Sequence, residues 1–465
     1  MNMINVRRLT VMTFLGAGML SSISAQVSPL QVDTLKETKI PDQWDLQSCI
    51  DYAKEQNITI RKNRITAAST QIDVKTAKAA MFPSLSFSTS QQVVNRPYQE
   101  TSSRVSGNEI ISSNSKTSYN GNYGLNASWT LYNGNKRLKT IQQEKLNNQM
   151  TELDVATSEN NIQESIAQVY IQILYAAESV KVNENTLQVS IAQRDRGQEL
   201  LNAGSIAKSD LAQLEAQVST DRYQLVTAQA TLEDYKLQLK QLLELDGENE
   251  MNIYLPALSD ENVLAPLPTK RDVYISALSL RPEIEASKLN VEASELGINI
   301  AKSSYFPTIS LSAGIGTNHT SGSDFTFGEQ VKNGWNNSIG LSVSVPIFNN
   351  RQTKSAVQKA KLQYETSMLS LLDEQKALYK TIESLWLDAN SAQQRYAAAN
   401  EKLKSTQISY ELISEQFNLG MKNTVELLTE KNNLLQAQQE QLQAKYMAIL
   451  NTQLLKFYQG DQLAL

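Results

Sequence analysis

Residues with catalytic or metal-binding potential are few in this sequence. The only histidine, His319, stands beside Asn318 and Thr320 in a segment that we expect to be an outward-facing loop. One imidazole without a cysteine or a second histidine nearby cannot build a zinc site. No glycine-rich phosphate loop ending in Lys-Ser or Lys-Thr precedes a helix. We therefore expect no enzyme activity, no metal and no cofactor.

The N-terminus has the pattern of a secretory signal. Arg7 and Arg8 precede an apolar core at residues 9–20 and a run of small residues that ends at Ala25. The core is too short to span a membrane, and cleavage after Ala25 would change the formal charge from −5 to −7. Such mild acidity without basic patches argues against a nucleic-acid partner. We assign residues 1–25 to a signal peptide and 26–43 to an N-terminal linker.

The single cysteine, Cys49, has no partner for a disulfide bond. It lies well past the expected cleavage site, so it is not the lipid-bearing first residue of a lipoprotein. We expect it to be a small buried residue on a short helix near residues 46–54.

A long helical hairpin organises the rest of the chain. Residues 350–417 contain neither proline nor glycine, and small or apolar residues recur there at alternating spacings of four and three. This seam consists of Leu378, Ile382, Leu385, Ala389, Ala392, Tyr396, Ala399, Leu403, Thr406, Tyr410, Ile413 and Phe417. At 1.5 Å per residue such a helix is roughly 100 Å long. The chain turns at Gly420 and returns over residues 423–458, which predicts an antiparallel coiled-coil hairpin.

A second copy of this hairpin lies upstream. Residues 135–201 have a near-helical period, turn at Gly204 and return over residues 209–244. Their stripe consists of Ile166, Val169, Ile173, Ala176, Val180 and Leu187. Gly204 and Gly420 are 216 positions apart, as are the matching tripeptides that end at Asn133 and Asn349. The chain is therefore predicted to be a tandem duplication, with repeats at residues 44–245 and 282–458.

Four predicted strands precede the hairpins, at residues 83–95, 118–132, 307–318 and 335–348. In each, apolar residues alternate with small or polar ones, as Leu311 and Ala313 alternate with Ser312 and Gly314. Such strands fit a membrane β-barrel with lipid outside and water inside. They equally fit a soluble sheet with one face on a core, because alternation alone does not separate lipid from protein. Aromatic residues at the strand–helix boundaries favour the membrane: Phe82, Tyr132, Phe306 and Phe348.

Four strands cannot close a barrel, and open edges are costly in lipid. Two copies would supply eight strands and three copies twelve. The Ser- and Gly-rich inner face favours an open lumen, and hence a homotrimer of twelve strands continued by a coiled-coil barrel of helices. The predicted fold class is therefore α+β, a membrane β-barrel extended by long antiparallel helices.

Residues 246–281 separate the repeats. Pro256, Pro266 and Pro268 predict an irregular connector packed outside the helices. The sequence Arg281-Pro282-Glu283-Ile284 then begins the second repeat, with proline in the first helical turn. Residues 459–465 form a short C-terminal tail.

Residues 44–458 resemble the TolC-type outer-membrane efflux proteins. The resemblance rests on the duplication, the two Phe-Pro switches from helix to strand, the hairpin turns and the Arg-Pro-Glu entry. It implies a homotrimer in the outer membrane of a Gram-negative bacterium, whose helical tunnel extends into the periplasm. It also implies three further partners: the lipid bilayer, a periplasmic adaptor (membrane fusion protein), and an inner-membrane transporter of the resistance-nodulation-division, ABC or major facilitator type.

The resemblance also assigns roles at the hairpin tips. Gly204 and Gly420 match the tip turns that dock the adaptor. Asp210 and Lys422 match an acid and a base that link the tips, and Phe417 matches a tyrosine of the same latch, although it lacks the hydroxyl.

Glu426 matches the first of two aspartates that ring the tunnel mouth, and Thr429 replaces the second. Mutual repulsion in such a ring is expected to raise its apparent pKa. Asp210 and Glu426 also lie in first helical turns, where the helix dipole alone favours acids.

The favoured function is a passive conduit for small-molecule efflux in a tripartite export system. An outer-membrane component of a type I protein secretion system fits the same sequence. A trimeric coiled-coil surface protein without transport is the third reading, although surface stalks are usually parallel helices that do not double back.

Overall fold

The computed structural model describes residues 41–98, 102–106, 109–113, 116–246, 251–256, 263–321, 323 and 325–463. The predicted signal peptide lies outside these residues. So do most of the predicted linker, parts of the polar stretch between the first two strands, parts of the connector and the last two residues of the tail.

The first repeat opens with two helices, α1 (Leu46–Gln56) and α2 (Ile58–Ala79). Asn57 separates the two helices, because its side-chain oxygen accepts hydrogen bonds from the backbone N–H groups of Thr59 and Ile60 and caps α2. Cys49 on α1 is fully buried, as predicted.

The strands are β1 (Ser84–Asn95), β2 (Ser102–Ser106), β3 (Glu109–Ser113), β4 (Thr117–Asn133), β5 (Thr308–Thr320) and β6 (Asn336–Ser344). Four of them form one antiparallel sheet in the order β1-β4-β5-β6, so β4 and β5 join the two repeats at its centre. Strands β2 and β3 pair separately as a hairpin.

The remaining helices are α3 (Lys136–Asn202), α4 (Lys208–Leu242), α5 (Lys270–Leu280), α6 (Pro282–Ser303), α7 (Phe327–Asn333), α8 (Gln352–Asn418) and α9 (Thr424–Gln459). Helices α3 and α8 each contain 67 residues and pair with α4 and α9 as antiparallel hairpins. Among the described residues, no helix combines the length and the apolar character that a membrane crossing requires.

The backbone repeats along with the sequence. Before α3, Gly134 and Asn135 have φ values of 67° and 62°; before α8, Asn350 and Arg351 have 51° and 65°. Residues with side chains rarely adopt this left-handed region. Its occurrence at equivalent positions shows that each repeat makes the same bend from sheet to helix.

The fourth predicted strand, 335–348, is too long. Strand β6 ends at Ser344, and Val345, Ile347 and Phe348 lie beyond it. Pro346 is the physical reason, because it has no backbone N–H to donate to a strand ladder. The ends of the other three strands and of the long helices differ from the prediction by at most two residues.

Segments predicted to be irregular contain further structure. The connector at 246–281 includes α5, which begins after the last of its prolines, and Thr269 caps it by accepting from the N–H of Asp272. The polar stretch after β1 includes β2 and β3, and the loop after β5 includes α7. His319 itself lies in β5, opposite Gly121, and not in a loop. Side-chain caps and strand pairing thus give regular structure to segments in which the sequence predicted none.

Among the residues that the structure describes, no other element covers one face of the sheet. Leu85 and Phe87 on β1 are 70% and 68% exposed, and Ile339 and Leu341 on β6 are 83% and 65% exposed. The strand registers place Ile339 beside Ala313, which in turn pairs with Ala127. The apolar alternation predicted for each strand therefore combines into one continuous exposed surface.

The largest core lies where α1 packs against the middle of α3 and α9. Trp44 forms a backbone bridge with Ile253, and the hydroxyl of the buried Tyr170 donates to the carbonyl of Tyr254 at 2.6 Å. The N-terminal segment and the connector are thus both fastened to α3.

Arg281 joins the two repeats beside this core. Its guanidinium is 6% exposed and donates to Glu164 on α3 at 3.0 Å and to Glu283 at 2.9 Å. It also lies over the ring of Tyr458 on α9, 4.1 Å from the centroid. Burial raises the pKa of Glu164, and Arg281 opposes that shift by favouring the ionised form.

Replacing Ile382 with alanine should destabilise the protein by about 3 kcal/mol, because this α8 side chain is 1% exposed and packs with α5 and α9. Urea unfolding in detergent, followed by far-ultraviolet circular dichroism, measures the effect. The exposed Lys380→Ala substitution on the same helix is the control, with an expected change within about 0.5 kcal/mol. Equal stability of the two variants would contradict the assigned packing of α8.

Candidate functional site at the hairpin tips

Two nearly identical turns end the helical hairpins. Gly204 has a φ of 75° and Gly420 a φ of 74°. In each turn the following residue donates its N–H back to the helix, Ser205 to Leu200 and Met421 to Gln416, both at 2.8 Å. A Cβ at either glycine would meet no atom within 4 Å, so glycine is required there by backbone conformation and not by space.

Lys422 and Glu426 form an ion pair at the second tip. Lys422 Nζ donates to Glu426 Oε1 at 2.6 Å, and the other carboxylate oxygen accepts from the N–H of Asn423 at 3.3 Å. Both hydrogen bonds hold the pKa of Glu426 below its ordinary value, the one from Lys422 having the larger effect. Within one chain this direction is opposite to the rise expected for a ring of bare carboxylates.

Asp210 has a local partner at the first tip. Its carboxylate accepts from the backbone N–H of Ala207 at 3.1 Å and so helps to cap α4. In the described part of the chain, Lys422 contacts Glu426 rather than Asp210. Each of the two acids therefore serves its own helix start within a chain, and the latch between Asp210 and Lys422 that the resemblance implies stays a prediction.

Phe417 is a core residue of the tips. It is 2% exposed and packs with Leu214 of α4 and Leu427 of α9. The aromatic ring expected in a latch instead fills the interface between the two hairpins of one chain.

The structure contains a buried polar cluster above the tips that was not predicted from the sequence. Lys431 on α9 contacts Asp221 on α4, and both contact the hydroxyl of Ser190 on α3. The three residues are 3%, 1% and 2% exposed, and Gln217 donates to the second oxygen of Asp221 at 2.9 Å. We call Ser190, Asp221 and Lys431 the interhairpin cluster, because it joins the hairpin of one repeat to that of the other.

The electrostatics of this cluster are those of a buried ion pair. Burial lowers the pKa of Lys431 because the charged ammonium loses its hydration, while Asp221 favours the charged form and opposes that shift. The cluster has a sequence signal. Lys431 falls between Leu427 and Leu435 at spacings of four, and Asp221 follows Val218 by three. A charged residue on an apolar seam is the pattern that marks it.

The aromatic residues predicted at the membrane boundary lie where strands and helices meet. Phe82, Phe306 and Phe348 are exposed, whereas Tyr132 is partly buried. Trp129 on β4 adds an indole at the same level, and its N–H donates to the carbonyl of Met81 at 2.8 Å.

The sequence profile of the outer membrane efflux protein family matches residues 49–244 and 273–460. The chain belongs to this family, and it is accordingly a protein of the bacterial outer membrane. Both the family and the fold are those of channel proteins.

Individual relatives are distant in sequence. The chain is 24% identical to the outer membrane efflux protein BepC of Brucella suis over 63% of this chain and 61% of that protein. It is 24% identical to the outer membrane protein TolC of Escherichia coli over 61% of this chain and 58% of that one. The aligned regions thus span about three fifths of these relatives.

Solved structures agree over a larger part of the chain. The crystal structure of CusC superposes with a TM-score of 0.75 at 19% identity, covering 90% of this chain and 92% of the other. The outer-membrane channel OprN gives a TM-score of 0.71 at 18% identity, covering 88% of both chains. These similarities establish the fold.

The Lys431→Met substitution should lower the free energy of unfolding by about 4 kcal/mol, because it leaves the Asp221 carboxylate buried without its counter-ion. The double substitution Lys431→Met with Asp221→Leu should recover most of that loss. Urea unfolding in detergent measures both effects.

Lys404→Met is the matched control, since Lys404 forms an exposed pair with Glu401 at side-chain exposures of 62% and 74%. A surface pair of this kind contributes less than about 1 kcal/mol. A loss at Lys431 no larger than that of the control would contradict a buried, charged cluster.

Proposed function

We propose that three copies of this chain form an outer-membrane channel that continues into a periplasmic helical tunnel and acts as a passive export conduit. The observation that carries this proposal is the four-stranded sheet with an exposed apolar face and two unpaired edge strands, β1 and β6. Unpaired backbone groups cost several kcal/mol each in lipid, so the edges must be closed by other copies. Three copies supply twelve strands, enough for a water-filled lumen.

The opposite face of the sheet suits that lumen. Ser312, Gly314 and Gly316 line it on β5, and Ser342 and Gly340 on β6. Small and hydroxyl-bearing side chains leave the interior open and wet, whereas large apolar ones would fill it. The tunnel below is long enough for the periplasm, since α3 and α8 of 67 residues each extend roughly 100 Å at 1.5 Å per residue.

The hairpins favour a conduit over a structural stalk. Each repeat doubles back at a glycine turn, so three chains present six hairpin tips around one axis. We take these tips, at Gly204 and Gly420, as the docking sites for a periplasmic adaptor, with an inner-membrane transporter behind it. A chain built for surface display has no need of a closed ring of antiparallel hairpins.

The relatives point to more than one cargo. Their names include the toxin and drug export protein A of Aggregatibacter actinomycetemcomitans, at 21% identity over 89% of this chain, and the cation efflux system protein CusC of Escherichia coli O157:H7, at 24% over 87%. The alkaline protease secretion protein AprF of Pseudomonas aeruginosa is a further relative, at 21% over 65%. We favour small-molecule efflux and keep type I protein secretion as the second candidate.

The tips supply a closure that can be opened. The apolar contact of Phe417 with Leu214 and Leu427 holds the two hairpins of a chain together at the mouth, and the interhairpin cluster holds them further up. Moving these two hairpins apart at the mouth must expose both the apolar contact and the interhairpin cluster to water. The buried contacts within each chain therefore oppose opening of the tunnel mouth, and links between chains would add to them.

The assembled protein should be a trimer. Native mass spectrometry in mild detergent should give three times the mass of the mature chain, and a heat-dissociated sample should give the single chain. A stable monomer or dimer would contradict the closure of the sheet edges by three copies.

The tip charges should control ion selectivity in opposite directions. Glu426→Gln should reduce cation preference roughly twofold in the open channel, because it removes a carboxylate at a constriction. Lys422→Ala should increase that preference, because it removes the cation that neutralises Glu426. Reversal potentials across a salt gradient measure both.

The pH dependence of cation preference tests the Lys422–Glu426 pair separately. Lys422 keeps the pKa of Glu426 low, so cation preference in the wild type should persist to lower pH than in Lys422→Ala. Asp210→Ala is the control and should change conductance and selectivity little, since Asp210 caps α4. An equal increase in conductance for Asp210→Ala and Lys422→Ala would instead support the latch between these two residues that the resemblance implies.

A further inference from the structure

Helix α7 completes the edge of the sheet at the end far from the long helices. Strand β6 pairs with β5 only as far as the register Gly316–Asn336, while β5 continues to Thr320. Over those last residues α7 takes the place of the missing strand. Gln330 Oε1 accepts from the backbone N–H of Thr320 at 2.8 Å, and the carbonyl of Val331 accepts from Thr317 Oγ1 at 2.7 Å.

The helix is seated closely on this edge. Thr326 and Glu329 form a reciprocal capping box that fixes its start. Gly334 fixes its end, because a Cβ there would lie 2.8 Å from Asn318 Oδ1 and 3.0 Å from the carbonyl of Gln330. The position of α7 is therefore determined by several independent contacts.

Aromatic rings connect α7 to the apolar face of the sheet. Phe327 meets the ring of His319 edge-on at a centroid distance of 5.1 Å, and His319 stacks on Tyr123 at 5.9 Å. His319 is on the same side of β5 as Leu311 and Ile315, because alternate residues of a strand share a face. The apolar surface of the sheet thus continues through these rings onto the helix.

The helix and its flanks are apolar on one side and charged on the other. Phe327 and Val331 are four residues apart and share a face, whereas Glu329 and Lys332 lie on the opposite one. Three aromatic side chains remain largely uncovered: Phe325 at 57%, Phe327 at 44% and Trp335 at 57% exposure. This segregation is that of a helix lying in a membrane interface.

The spacing along the strand agrees with two membrane boundaries. His319 follows Phe306 by 13 residues, which at 3.3 Å per residue and a tilt of about 40° is roughly 33 Å along the membrane normal. Outer-membrane barrels have an apolar band about 25 Å tall with aromatic girdles on both sides. Phe306 and α7 bracket such a band.

We propose that α7 with Phe325 and Trp335 is an interfacial anchor, the distal anchor, whose partner is the lipid surface of the outer leaflet. It places aromatic rings at the boundary of headgroups and acyl chains and shields the unpaired end of β5 from lipid. The proposal rests on the proposed function, because it takes the apolar face of the sheet as the lipid-facing side of a barrel.

The test uses single cysteines in the full-length protein in phosphatidylcholine vesicles. Cys49→Ala provides the background, and wild-type Cys49 is in any case buried, with a pKa raised to about 12 by desolvation. An environment-sensitive fluorophore is attached at Phe325→Cys and, separately, at Trp335→Cys. Lys332→Cys on the charged side of α7 is the matched control, and Leu341→Cys reports on the middle of the sheet.

Nitroxide-labelled lipids with the spin label near the headgroup should quench fluorophores at positions 325 and 335 about threefold more than at 332. Aqueous iodide should show the reverse order. Nitroxides deep in the acyl chains should quench most strongly at Leu341→Cys. Unaltered channel conductance of each labelled protein shows that it is folded, and two anchor positions are used so that a misfolded variant does not end the test.

Equal iodide quenching at 325, 335 and 332 would overturn the distal anchor and show a water-exposed helix. Protection from both iodide and lipid nitroxide would also overturn it, because it would show contact with protein. In both cases strong deep-lipid quenching at 341 leaves the proposed channel intact. Absence of that quenching at 341 would overturn the channel and the anchor together.

Discussion

The two unpaired edges of the sheet are the constraint on which this structure depends. Strands β1 and β6 each carry a row of backbone N–H and C=O groups, and the face between them is apolar and exposed. Water can satisfy those groups, but lipid cannot. Closure by symmetry-related copies removes both edges at once. In each repeat, two consecutive residues with left-handed backbone conformation bend the chain from the sheet into a long helix, before α3 in the first repeat and before α8 in the second.

The helical part combines two kinds of contact with different roles. Burying Phe417, Leu214 and Leu427 stabilises the tips by roughly 2 kcal/mol per side chain, an upper estimate relative to an extended chain. The interhairpin cluster adds little net stability, because desolvation of Lys431 and Asp221 offsets most of their attraction. Separating Lys431 from Asp221 while both remain buried is nevertheless costly, because each charge would then lack both its partner and water. The apolar contacts therefore provide the affinity between hairpins, and the cluster fixes their register.

The two repeats are equivalent in backbone and different in detail. The first joins its strands through a segment that contains β2 and β3, and the second through α7. Arg281 bridges the repeats at one level and the interhairpin cluster at another, and both use a buried cation held by acids. Such asymmetry lets one chain present two unlike hairpin tips, with a Lys–Glu pair at one and a capping aspartate at the other.

The sequence by itself determined the elements that depend on a local repeat. The alternating spacings from Leu378 to Phe417, the alternation from Ile309 to Ile315 and the glycines at 204 and 420 were enough to predict the two hairpins, their turns and the four strands of the main sheet within two residues, apart from the end of the last strand. Strands β2 and β3 and helices α5 and α7 were not predicted. Periodicity and glycine conformation are properties of neighbouring residues, and a single chain carries them in full.

Only the tertiary structure decided which side chains meet. Phe417 is buried between hairpins, and Ser190, Asp221 and Lys431 converge from three helices, although Ser190 and Lys431 are 241 positions apart in the chain. His319 lies in a strand because β4 pairs with it and α7 covers its ring. Contacts of this kind depend on the register between distant helices and strands, which no local pattern records, because burial and pairing are set by elements that come together only in the fold.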